Sequence, residues 1–162
     1  MTVRGRSPRE ETGSVSDWDS HLPADTPGGA AVVEVRTSAT AALIPTIRAV
    51  ASDLAARADF DLDAISDLRM AVDEACATLV DVAAPATMLQ CTFRVHAEHI
   101  EVHAHVRGGT ADAAVSTDTF GWRVLQTLAD RVEAIRQDSV DGDGGGPTVG
   151  IRLDKHAGAP PR

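Results

Sequence analysis

Residues 62–83, LDAISDLRMAVDEACATLVDVA, set Ile65, Leu68, Val72, Ala75, Leu79 and Val82 three and four positions apart. That spacing stacks the six side chains along one side of an α-helix. Asp61 precedes the run as a capping carboxylate. At 1.5 Å per residue such a helix is about 30 Å long, the width of a small domain, so its apolar stripe has to be covered by most of the remaining chain. Asp67, Glu74, Thr78 and Asp81 gather on a different side of the same helix, which puts a carboxylate-bearing stripe beside the buried one.

The flanking segments supply the cover. AVVEVRT from Ala31 alternates as a strand, and Ser38 or Thr40 then offers an N-cap for a helix ending near Arg57. Pro45 has to lie in its first turn, because deeper in a helix the ring removes a hydrogen bond and meets a carbonyl. Leu43, Ile47, Val50 and Leu54 give that helix one apolar face. After the long helix come β-type runs at 88–96 and 99–106, joined at Ala97 and Glu98 closely enough for a hairpin. Ile100, Val102, Ala104 and Val106 alternate with Glu101, His103 and His105, so one face is buried and the other polar. A third helix is expected over 119–130, with Phe120, Val124 and Leu128 in line, and runs at 132–137 and 148–153 flank a glycine-rich turn as a second hairpin. The order predicts an α+β fold, a two-layer sandwich of a mixed, mostly antiparallel sheet with helices on one face.

A chain of 162 residues, 43% hydrophobic, has room for one core. That domain is expected over 30–156, after a disordered arm at 1–29 that is poor in large apolar side chains, and before a frayed tail at 157–162. No long apolar run or secretory leader occurs, so the expected location is the cytoplasm, with no membrane contact. A net charge of -9 argues against direct nucleic-acid binding, which needs Lys and Arg to neutralise phosphates, and favours a basic protein as partner. Cys76 and Cys91 lack the spacing of a zinc or redox motif and read as buried, reduced thiols.

Other constellations give weaker signals. Histidines 96, 99, 103 and 105 invite a metal reading, but the polar outer face of a hairpin explains them equally, with Glu101 the only acid on that face. The expectation is no metal site. The loop at 141–146 lacks the glutamate at the twelfth position of a calcium-binding loop, and no serine sits in a nucleophile motif.

The stretch LRMAVDEACATLV at 68–80 resembles the N-box helix of the GHKL, or Bergerat-fold, ATPases. The similarity is to the RsbW-type branch of anti-sigma factors and serine kinases, in its actinobacterial form, and the order of elements agrees over about 30–156. Within that family Glu74 corresponds to the general base, and Thr78 stands where an asparagine holds magnesium. The Asp-x-Gly pattern whose aspartate reads adenine corresponds to Arg107-Gly108-Gly109, and an arginine cannot accept that hydrogen bond. The glycine-rich box near the phosphates is reduced to Thr119-Phe120-Gly121. The resemblance therefore implies ATP-site positions at Thr78, Gly109 and Gly121 in a degenerate site. It further implies an alternative sigma factor as partner, release by a STAS-type antagonist, and a homodimer. With ATP and magnesium as cofactors, the same resemblance implies the alternative of an active kinase that phosphorylates the antagonist on serine. Arg48 and Arg57, on the first helix, are candidate contacts to the sigma factor.

Overall fold

Asp61 starts the long helix as expected, its carboxylate accepting the Ala64 N–H at 2.7 Å. This helix, α2 (Leu62–Val82), lies at the centre of a computed structural model that describes residues 30–139 and 146–158. The arm at 1–29, most of the glycine-rich turn and the end of the tail fall outside the described residues, and with them the expectations of disorder made there. Leu68, Val72, Ala75 and Leu79 are buried as the periodicity requires. Ala64, Ala71 and Cys76 join them, while Ile65 and Val82 sit at the margin.

Helix α1 (Ile44–Arg57) packs along α2. Pro45 occupies its first turn, where no amide donor is missed. A short turn of 3-10 helix at Ala41–Leu43 precedes it, and Thr40 caps that turn through backbone geometry alone, without a side-chain bond. The buried row is Ile44, Ile47, Ala51 and Ala55, with Val50 and Leu54 half-buried beside it. The apolar face is thus rotated from the one expected. The small alanines are fully buried and the larger Val50 and Leu54 flank them.

Five strands form one sheet in the order β1-β2-β3-β5-β4: β1 (Ala31–Ser38), β2 (Met88–Val95), β3 (His99–Arg107), β4 (Arg131–Gln137) and β5 (Thr148–His156). Every neighbouring pair is antiparallel. The inner face carries Leu89, Cys91 and Phe93 from β2, alternate residues Ile100 to Val106 from β3, and Val149, Ile151 and Leu153 from β5, all buried under the helices. Cys76 and Cys91 meet inside this layer as free thiols with Sγ atoms 3.8 Å apart. The hydrogen bond to Cys91, then burial, push the Cys76 thiol up, so it stays protonated. The outer face keeps Arg94, Glu101, His103, His105 and Arg152.

Helix α3 (Phe120–Leu128) begins at Thr119, whose hydroxyl accepts the Trp122 N–H at 3.2 Å. The expected row of Phe120, Val124 and Leu128 is not the buried one. Trp122 and Leu125 enter the core, Val124 and Leu128 are half-buried, and Phe120 is 81% exposed. With Trp122 and Leu125 buried and Val124 and Leu128 still half-covered, this roll leaves only Phe120 of the helix's large apolar side chains in water. At the far end of the chain β5 runs to His156, three residues beyond the expected end. Ala157 donates to Glu98 O at 2.9 Å and accepts from Asp61 N at 3.1 Å, so it is fastened where fraying was expected. Among the described residues no helix is long and apolar enough to cross a membrane.

Candidate functional site

The carboxylate stripe of α2 is divided by the fold into three environments. Asp67, at the N-terminal end, accepts from Lys155 Nζ at 2.8 Å, and the same ammonium donates to Leu128 O at 3.0 Å. This ties α2, β5 and the last turn of α3 together, with the positive charge at the helix end that carries the negative pole. Asp67 is therefore occupied in holding elements in place.

Glu74, two turns further on, lines a groove of about 550 Å³ with Arg48, Arg69, Met70, Asp73, Val124 and Leu128. Gly121, in the first turn of α3, makes room for it: a Cβ there would overlap Glu74 Oε1. The structure thus brings Glu74 and Gly121 together, and the absence of a side chain at 121 is what lets the carboxylate seat against the helix start. Arg48 reaches the groove while bonded to Asp73 at 3.0 Å, and both side chains are about 40% exposed. Arg57 is elsewhere, in an exposed i,i+4 pair with Asp53 at 2.8 Å. Met70, 43% exposed, lines the groove, and Phe120 stands exposed one turn before Val124 on α3. Arg69 has no ion pair among the described residues and faces the groove. Met70 and Arg69 were missed in the sequence because they are outward positions of a helix read for its inward ones, whereas Phe120 was read as inward and is exposed.

Asp81 belongs to a second hollow of about 440 Å³, lined also by Val82, Ala83, Gly109, Thr110, Asp112 and the alanines at 113 and 114. Thr78 lies between the two hollows, half-buried on α2. The loop after β3 is stitched to the end of α2: Ala84 N donates to Arg107 O at 2.8 Å and Gly109 N to Val82 O at 2.9 Å. Side chains at 108 and 109 would press on Ala113 and on Ala83 O, so the two glycines serve this close approach. Arg136 fixes the other side of the loop by donating to Ala113 O at 3.1 Å and Ala111 O at 2.8 Å. The Thr110 hydroxyl, bonded to Asp112 at 2.7 Å, is the main cause that holds the Asp112 carboxyl below its usual range. The hollow is lined by two carboxylates and no cation; the Arg107 side chain is exposed and is not part of the lining.

Residues 37–150 match the family of histidine kinase-like ATPase domains. Over 147 residues the chain is 33% identical to the anti-sigma-F factor RsbW of Mycobacterium tuberculosis, in each of two strains, an overlap of 89% of this chain and 85% of that protein. The chain belongs to the RsbW-type family of anti-sigma factors. In this RsbW-type chain the kinase-like fold is kept, with the long helix, the hairpin behind it and the loop that closes on its end. The residues do not fit a magnesium nucleotide well. Glu74 already sits against the first turn of α3, where backbone amides would otherwise favour an anion, and no Lys or Arg lines the second hollow to meet a polyphosphate.

Proposed function

We propose that the chain sequesters an alternative sigma factor from RNA polymerase in the cytoplasm and is released by a STAS-type antagonist, acting by binding rather than by phosphotransfer. Its 33% identity to an anti-sigma-F factor over most of both chains carries this reading. The groove between α2 and α3 supports it: Met70, Val124 and Leu128 offer an apolar floor, and Arg48, Arg69, Asp73 and Glu74 a charged rim, the composition of a protein-contact surface. Glu74, Thr78, Gly109 and Gly121 are then remnants of a nucleotide site, with Arg107 in place of an adenine-reading acid. Arg48, already at the groove, is the better of the two candidate arginines for a sigma contact, and Arg57 the poorer. A homodimer is the expected assembly.

Titration of the purified chain with each sigma factor of its source organism tests the proposal. One of them is expected to bind and to be displaced by an antagonist, and failure of all of them to bind overturns it. A second reading, a magnesium- and ATP-dependent serine kinase, draws on Glu74 opening onto the groove. Calorimetry with ATP and magnesium separates the two: no saturable heat is expected, and tight binding with Glu74-dependent phosphorylation of the antagonist favours the kinase.

A further inference from the structure

We propose that His96, His99 and Glu101, at the turn between β2 and β3, form a binding site for a divalent cation of the zinc class. Glu101 Oε1 lies 3.6 Å from His96 Nε2 and 3.6 Å from His99 Nε2. The three donor atoms all fall within 4.8 Å of one another, the one such group of three among the described residues. A tetrahedral zinc centre with bonds of about 2.0–2.1 Å holds its donors roughly 3.4 Å apart, so the spacing needs little adjustment. Two imidazoles and one carboxylate suit zinc and its neighbours better than calcium or magnesium, which prefer oxygen alone.

Three further features point to a ligand. His96 Nε2 is buried and has no hydrogen-bond partner, a cost that a metal bond removes. The backbone is fixed beneath the ligands: His96 N donates to His99 O at 2.9 Å, closing the turn, and Glu98 O receives Ala157 N. The other carboxylate oxygen, Glu101 Oε2, is 3.8 Å from Arg94 Nη1, which orients the acid and leaves Oε1 directed at the imidazoles. The His96 and His99 rings stack with centroids 4.1 Å apart. Coordination requires one ring to turn out of the stack, and for His96 that rotation breaks no hydrogen bond at Nε2. His156, stacked on His99 at 5.4 Å, is engaged by Asp130 through both its backbone and its ring, so the fourth position is left to water or to an outside ligand. His103 and His105 have ring centroids 5.2 Å apart but belong to no group of three potential ligands among the described residues.

The site lies at the opposite end of β3 from the Gly108–Gly109 loop, roughly 26 Å away at the rise of a strand. It is thus separate from both hollows of the helical layer. Cys76 and Cys91 are fully buried and do not compete for the metal.

The test is equilibrium dialysis of the full, tag-free chain against zinc, with cobalt(II) as a spectroscopic probe and thermal melting as a second readout. The wild type is expected to bind one equivalent, to give the intense visible bands of four-coordinate cobalt, and to melt a few degrees higher with zinc. His96→Ala, His99→Ala and Glu101→Gln should each weaken binding at least tenfold, and His103→Ala should not. Less than a tenth of an equivalent bound by the wild type overturns the proposal. Binding that survives all three ligand variants, or that His103→Ala abolishes, overturns it as well.

Discussion

At the scale of single residues, two contacts on α2 make opposite demands on the chain. Lys155 is only 13% exposed and serves both Asp67 and the Leu128 carbonyl, so Lys155→Met leaves a half-buried acid and a helix-end carbonyl without their donor. Breaking such a bond from one side costs about 1–3 kcal/mol, and urea unfolding should show a loss in that range. Asp67→Asn should cost less, because the amide still accepts from the ammonium. Gly121→Ala is the converse case. The atom it meets is the tip of a flexible Glu74 side chain, and alanine favours a helix by up to about 1 kcal/mol over glycine. Its melting temperature should therefore equal or exceed the wild type's, while Glu74 moves into the groove and weakens sigma binding. A large loss of stability would show instead that the carboxylate cannot leave its seat. Glu74 and Gly121 were legible one at a time, from the helix pattern and the resemblance. Their contact was not, because it depends on how α3 rolls.

That roll belongs to the scale of elements, where periodicity identifies a helix more surely than its buried face. On α3 two apolar rows compete: Trp122 and Leu125 are buried, Val124 and Leu128 are half-covered, and Phe120 is left outside. On α1 the alanines at 51 and 55 carry no strong apolar signal, yet they are fully buried. Strands were easier to read, since their period of two offers only two faces. The same geometry gives β3 a pH response. Burial, and for His103 also the neighbouring His105, hold both imidazoles below their ordinary range, although Glu34 acts the other way on His105. The unfolded chain then binds protons more readily than the folded one. Stability is complete above the unfolded histidine pKa of about 6.5 and declines as the pH falls below it towards the folded values. Thermal melts at pH 7.5 and pH 5.5 should show the wild type losing stability on acidification, and the His103→Gln/His105→Gln double variant losing less. Equal losses would place the sensitivity in other groups.

For the whole molecule, the two-layer plan puts the helices, the groove and the second hollow on one side of the sheet, and a polar strand face with the histidines on the other. Partner capture by the helical side and cation binding by the hairpin end can therefore operate independently, and zinc should leave sigma affinity unchanged while raising the melting temperature. The net charge of -9 acts at a longer range than either site. An acidic chain approaching a basic partner is steered by the summed field, which raises the rate of encounter and is screened over about 8 Å at physiological ionic strength. Contacts formed after docking, in a groove with an apolar floor, are screened much less. Stopped-flow association with the cognate sigma factor should thus slow by tenfold or more between about 0.05 and 0.5 M salt, with the dissociation rate changing far less. If dissociation carries the salt dependence instead, the grip depends on exposed ion pairs that Arg48 and Arg69 form with the bound partner. Replacing both with Gln would then remove most of the affinity.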